Sequence, residues 1–217
     1  DELYLQALSA AHSKNFPEAK RLLEQNLQLF PTHPEAHHLL GLVQFEMTHD
    51  ANSAIPHLKR AVELAPHFVQ AQYDLALLNL RLDNLEETTR LLQDTLQTYP
   101  KFWEAQLSLA QTLEKQKKIS LSLEHYQGVL ASQPDNLEAL YALGYLQFKD
   151  GEYEKAYQSI SRLVSGHPQH AEGWFLLGRL EETRNQTEQA LAAYETAVSL
   201  NSENEDAHHN LAFLYQQ

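Results

Sequence analysis

The chain has 217 residues, 43% of them apolar, which is enough for packed interiors and sets it apart from disordered chains. Its formal charge of −13 lacks the basic footprint that binds phosphate backbones or anionic membrane surfaces, and favours basic partners if it steers any. With no cysteine there are neither disulfides nor thiolate metal sites, which fits a reducing, cytoplasmic compartment and equally a cysteine-free periplasmic protein.

The N-terminal stretch DELYLQALSA has no basic segment ahead of a hydrophobic one, so no secretory signal is expected there. No apolar run in the chain approaches the ~18 residues of a membrane span. What the chain does carry is a period. Pro31, Pro66, Pro100, Pro134 and Pro168 are spaced by 35, 34, 34 and 34 residues. Small residues at Ala7, Gly41, Ala76, Ala110, Gly144, Gly178 and Ala212 keep the same intervals, and Leu40, Leu75, Leu109, Leu143, Leu177 and Leu211 precede them by one. A further row reads Ala19, Ala54, Thr88, Ser122, Ala156 and Ala190. Several rows sharing one period mark a repeat array. The phasing predicts units at 1–33, 34–68, 69–102, 103–136, 137–170 and 171–204, and a half-unit at 205–217.

Each unit reads as helix A, a short turn, helix B and a proline-marked turn. In the first, Pro17 sits at the start of helix B. The second has one extra residue between Met47 and Ala54 and then Pro56; proline tolerates only a first helical turn, so helix B is expected to begin near Ser53. Thr88 and Ser122 replace the small alanine of the third and fourth units, where looser packing is expected. In the fifth, Asp150-Gly151 lies between apolar runs and resembles a hairpin signal. The flanking spacings, Leu140, Leu143, Gly144 and Gln147 before it and Tyr153, Ala156, Tyr157, Ile160 and Val164 after it, are helical instead. Gly151 is therefore read as a left-handed stop on helix A. Asn136 is placed to cap the helix after Pro134. Gly144 and Ala156 are expected to let the two helices approach closely, and Glu154, Lys155, Gln158 and Arg162 put the back of helix B outside.

Little here points to catalysis. The twelve histidines include two adjacent pairs, His37-His38 and His208-His209, whose side chains diverge by ~100° on a helix. His33 and His37 are separated by Pro34, and no HExxH is present, so no metal site is expected. There is no phosphate loop and no Gly-x-Ser-x-Gly. An acidic row at Asp1, Glu35, Glu104, Glu138, Glu172 and Asp206, with Gln70 as its exception, opens each helix A and is read as complementing the helix dipole. The segment is expected to be no enzyme by itself and to need no cofactor.

The stretch AEGWFLLGRLEETRNQTEQALAAYETAVSLN (171–201) resembles the tetratricopeptide repeat family in Trp174, Leu177, Gly178, Ala190, Tyr194 and Ala197. LEALYALGYLQFKDGEYEKAYQSISRLVSGHP (137–168) matches nearly as well, with Leu163 in place of a small residue, and the resemblance covers essentially the whole chain. It implies an all-α, right-handed superhelical solenoid of antiparallel helix pairs, with helices A lining a concave groove. The stripe that would face that groove holds Phe45, then Tyr73, Leu77, Leu80 and Arg81, then Leu107, Gln111, Glu114 and Lys115. It continues through Tyr141, Tyr145, Phe148 and Lys149, then Phe175, Arg179 and Glu182, with Tyr4, Leu8, His38, Leu42, His209 and Phe213 at the ends. Such a surface suits a peptide or helix of another protein with apolar anchors, and Arg81, Lys115 and Lys149 form a basic row for acidic groups. The lysine–arginine–asparagine clamp of the family's chaperone-tail binders is absent, since Asn79 stands alone. The row Leu5, Leu39, Asp74, Ser108, Ala142, Leu176 and Asn210 is not the asparagine ladder of its O-glycosyltransferases. The expected function is a protein–protein interaction scaffold. Two others are a repeat region recruiting substrates for a bacterial glycosyltransferase, sulfotransferase or methyltransferase, and self-association through the apolar last helix with Leu211, Leu214 and Tyr215.

Overall fold

A computed structural model describes residues 2–216, so Asp1 of the acidic row lies outside the described residues. Among the described residues there are thirteen α-helices and no strands, and the chain is all-α. The odd-numbered, A-type helices are α1 (Glu2–His12), α3 (Pro34–Thr48), α5 (Val69–Arg81), α7 (Trp103–Lys115), α9 (Leu137–Lys149), α11 (Ala171–Thr183) and α13 (Glu205–Tyr215). The B-type helices are α2 (Phe16–Leu29), α4 (Ala51–Leu64), α6 (Leu85–Thr98), α8 (Ile119–Ser132), α10 (Tyr153–Gly166) and α12 (Thr187–Leu200). The chain divides into two compact units, 1–117 with α1 to α7 and 118–217 with α8 to α13.

In the first unit each helix packs on the next, and α1 also meets α3 as α5 meets α7. Its interior is serial. Ala7, Leu23, Leu40 and Val43 make one cluster under α1 to α3, and Leu58, Leu75, Leu92 and Leu109 make another under α4 to α7. In the second unit Leu140, Ile160, Leu163, Leu177 and Leu180 form the main cluster, and Ala190, Tyr194 and Leu214 seat α13 on α12. Within each unit the apolar face of one helix is covered by the next, as a repeat array requires.

The A-to-B turns share a conformation the residue types do not advertise. Lys14, His49, Asp83, Lys117, Gly151 and Asn185 all have positive φ, between 53° and 80°. Gly151 is the left-handed stop expected from the Asp-Gly pair, and the other five are the same stop without glycine. At four turns the bonding is the Schellman pattern. Asn15, Asn84, Glu152 and Gln186 donate to the carbonyls of Ala10, Asn79, Gln147 and Glu181, each at 2.9 Å. The turn after α3 differs: His49 N–H donates to Phe45 O at 2.7 Å, the shorter left-handed closure. The extra residue of that unit extends the chain to Asp50, whose carboxylate caps Asn52 N–H at 2.9 Å. Helix α4 thus begins at Ala51, not near Ser53, and Pro56 lies inside it. The expected restriction of proline to the first turn is overturned here. Only the bond to Asn52 O is lost, and Ser53 closes the preceding turn through its N–H and hydroxyl to Asp50 O.

The helix starts carry a second repeated device. Gln72 Nε2, Gln106 Nε2 and Trp174 Nε1 donate to the carbonyls of Pro66, Pro100 and Pro168, at 2.8, 3.3 and 2.9 Å. His37 Nε2 and His208 Nε2 meet Pro31 O and Ser202 O, each at 3.0 Å. The side chain at this one repeat position ties the incoming turn to helix A. Asn136 caps α9 through Ala139 N–H at 2.9 Å, as expected, and Asn204 caps α13 in the same way.

Where helices A and B meet, the small residues are sterically required. A Cβ on Gly144 would sit 2.5 Å from Ile160 Cδ1, and one on Gly178 would sit 2.5 Å from Tyr194 Cε1. Thr88 is fully buried, and its hydroxyl donates to Asn84 O at 2.9 Å, with Ala76 O at 3.5 Å. Leu163, large where the family is small, is fully buried beneath Gly173, whose absent side chain makes the room. No helix among the described residues is long and apolar enough to cross a membrane.

Candidate functional site

The stripe expected on the A helices resolves into rows with different fates. In the first row, Tyr4, His38, Tyr73 and Tyr141 are partly covered by the chain itself. Each ring lies against the N-cap residue of the next A helix: Tyr4 on His33 and His38 on Phe68, both at 4.9 Å, Tyr73 on Phe102 at 4.8 Å, and Tyr141 on His170 at 5.0 Å. Such ring pairs contribute about 0.5–1.5 kcal/mol beyond their burial, so they brace one unit against the next. The N-cap residues that do this lie outside the expected stripe. Their signal is a row at the A-helix N-caps, His33, Phe68, Phe102 and His170, with the same period as the prolines.

The second row, one turn further on, carries the open surface. Leu77 is 36% exposed, Tyr145 37% and Phe213 54%, and Arg179 is exposed, whereas Leu8, Leu42 and Gln111 are half-buried. Leu107, Phe148 and Phe175 are half-buried as well. Tyr73 O–H lies 3.4 Å from Ser108 Oγ, on the neighbouring helix α7. Burial raises the Tyr141 phenol above its ordinary value, with smaller contributions from Glu172 and Tyr145.

The cations of the stripe rest on rings. In the first unit the Arg81 guanidinium lies over the Phe45 ring at 5.1 Å, tying α5 to α3. In the second, Arg179 of α11 lies over Phe148 of α9 at 4.5 Å, and Lys149 over Tyr145 at 5.6 Å. Lys115, the middle member of the expected basic row, instead reaches Asp83 at 3.9 Å, where both side chains are exposed and the pair contributes little. The basic cations of the B helices behave differently. Arg21, Arg60, Arg90 and Lys155 each hold a carboxylate three or four residues away, at 2.6 to 3.0 Å.

Two polar clusters adjoin these rows. His38 Nε2 meets Asp74 Oδ2 at 2.7 Å across α3 and α5. Between α3 and α4, His37 Nδ1 meets His57 Nδ1 at 3.4 Å, and His57 Nε2 lies 3.5 Å from Gln44 Nε2. With His37 Nε2–H donated to Pro31 O, one arrangement satisfies every contact: Gln44 donates to His57, and His57 donates to His37, both rings neutral. Burial lowers the His57 pKa, and the neighbouring His37 ring lowers it further. Among the described residues no group of three or more metal-ligating side chains is positioned to hold an ion.

Family models described as tetratricopeptide repeats match residues 48–87 and 178–217, and one for anaphase-promoting complex, cyclosome, subunit 3 matches residues 122–197. No curated protein matches the sequence. Among solved structures, Pseudomonas aeruginosa pilF is 19% identical with a TM-score of 0.79, covering 98% of this chain and 96% of its own. YrrB, described as a TPR protein with an unusual peptide-binding site, is 15% identical with a TM-score of 0.75, covering 87% and 96%. PilW, described as a widely conserved type IV pilus biogenesis factor, is 17% identical with a TM-score of 0.71, covering 96% of each chain. At these identities the likeness is one of fold. Paired helices at a thirty-four-residue period, small residues where they meet and the matching family models agree: the chain is a tetratricopeptide-repeat protein.

Proposed function

We propose that the protein is an interaction scaffold without catalysis of its own, and that the A-helix face receives a peptide or helical segment of another protein. The observation that carries this reading is the second row of the stripe. Leu77 and Tyr145 leave more than a third of their area in water on faces whose neighbouring rings are packed, and large apolar groups so placed are the usual anchors of an interface. The residues assigned to it are Phe45, Tyr73, Leu77, Arg81, Leu107, Gln111 and Lys115 in the first unit. Those in the second are Tyr141, Tyr145, Phe148, Lys149, Phe175 and Arg179. The peptide-binding site named for YrrB supports the class of ligand, not its sequence. The test is site-directed photo-crosslinking. A crosslinker at Tyr145 is expected to capture partner protein, and one at Gln158 on the outer face of α10 is not. Capture from Gln158 alone would move the site to the B helices.

A second reading, self-association through α13, rests on Phe213 and Tyr215, which are 54% and 62% exposed. Leu214 does not contribute, since it is buried on Tyr194. Light scattering over a concentration series decides it: Phe213→Lys is expected to lower the mass of any oligomer, and a wild-type mass that stays monomeric dismisses the reading.

A further inference from the structure

We infer that the A-helix face of the second unit recognises an acidic segment, an unmodified stretch of a partner in which Asp or Glu side chains flank an aromatic or aliphatic anchor. This rests on the reading of that face as a partner site. Its basis is the state of two cations. In this unit Lys155 holds Glu152 at 2.7 Å, and Arg162 and Arg184 hold Asp135 and Glu181, each at 3.2 Å. Lys149 and Arg179 make no ion pair or hydrogen bond among the described residues, although acidic residues outnumber basic ones by 29 to 16 in the sequence. Each lies over a ring of α9, Arg179 on Phe148 at 4.5 Å and Lys149 on Tyr145 at 5.6 Å.

The ring contact orders each cation without consuming its donors. A guanidinium whose face meets a ring presents its N–H groups at the edge, in the fork that a carboxylate accepts with two parallel bonds. Glu182, the acid one turn from Arg179, accepts the Tyr194 hydroxyl instead, and Asn210 holds that hydroxyl from the other side at 3.2 Å. Tyr145, stacked on Tyr141 at 6.1 Å, supplies the apolar contact beside the cations. A bound segment that covers Tyr145 also removes water from both cations, which strengthens their attraction for its carboxylates.

A random dodecapeptide display selection on the intact chain tests this, followed by fluorescence anisotropy with the synthetic consensus peptide. The expected result is a consensus with Asp or Glu next to an aromatic or aliphatic residue. Its binding should weaken about tenfold in Arg179→Gln, and tenfold or more in Tyr145→Ala, with unchanged thermal denaturation. It should also weaken steeply between low and high salt. A consensus without acids, lost in Tyr145→Ala but indifferent to Arg179→Gln, overturns the acidic specificity and leaves the partner site standing. If no selected peptide is sensitive to either change, the acidic specificity and the partner site both fall.

Discussion

The helix pairs α3–α4 and α11–α12 occupy equivalent places in the period and are held together differently. In α11–α12 a ring fills the contact. Gly178 lies under Tyr194, which is fully buried and held at its hydroxyl by Glu182 and Asn210. In α3–α4 the corresponding glycine, Gly41, faces Leu58 Cγ and Ala54 O at Cβ distances of 3.0 and 3.1 Å, and the polar line of Gln44, His57 and His37 runs alongside. The turns differ too, a Schellman closure after α11 and the shorter left-handed closure after α3. The period therefore dictates where helices meet, but not whether the meeting is apolar and pinned or polar and titratable.

The largest expected effect tests the pinned contact. Gly178→Ala places a methyl within 2.5 Å of a ring that cannot turn, and is expected to destabilise the protein by about 1–3 kcal/mol in chemical denaturation, despite alanine's preference for helix. Gly41→Ala meets milder crowding and should stay within about 1 kcal/mol of wild type. Equal losses at the two glycines would erase the distinction drawn between the pairs.

A smaller effect belongs to the polar contact. The unfolded chain takes up a proton at His57 near its ordinary pKa of 6.5, and the folded chain resists it until lower pH because burial and His37 disfavour the charge. The stability this residue contributes is complete above about pH 6.5 and is lost as pH falls from there toward the lowered folded value. Glu24 on α2 opposes the shift and Lys20 adds to it, so the residue responds to α2 as well as α3. Thermal denaturation from pH 7.5 to 5 should show His57→Gln losing less stability than wild type. Parallel curves would mean that the imidazole line does not report on protonation.

The smallest expected effect lies in the turns. His49→Gly relieves a left-handed residue that carries a Cβ and should gain about 0.5–1 kcal/mol in denaturant titration. Asn185→Gly should gain less, because asparagine tolerates that conformation. A loss at both positions would show that the side chains, and not the backbone, hold these turns.

Much of this molecule was legible beforehand because its rules are local. The Asp-Gly elbow, the cap at Asn136 and the close approach at Gly144 follow from spacing and side-chain size, and the structure bears out each. Pro56 misleads as a marker of the helix start, because Asp50 caps the helix so that it begins two residues ahead of Ser53. The left-handed stops at Lys14, His49, Asp83 and Lys117 were invisible by residue type, yet they share a row with Gly151 that the period exposes. Rows of the A-helix stripe looked equivalent until the N-cap rings of the following helix covered the first of them.

The order of residues alone determined the repeat, the helices and the small positions between them: helices follow from spacings of three and four residues, and Gly144 and Gly178 each meet a side chain sixteen places on, within the same helix pair. Tertiary structure alone decided which rings stay exposed, that Arg81 and Arg179 rest on Phe45 and Phe148, and that His57 meets His37. Those partners lie 20 to 36 residues apart in sequence, and contact between them is set by how helices cross, which no local pattern encodes.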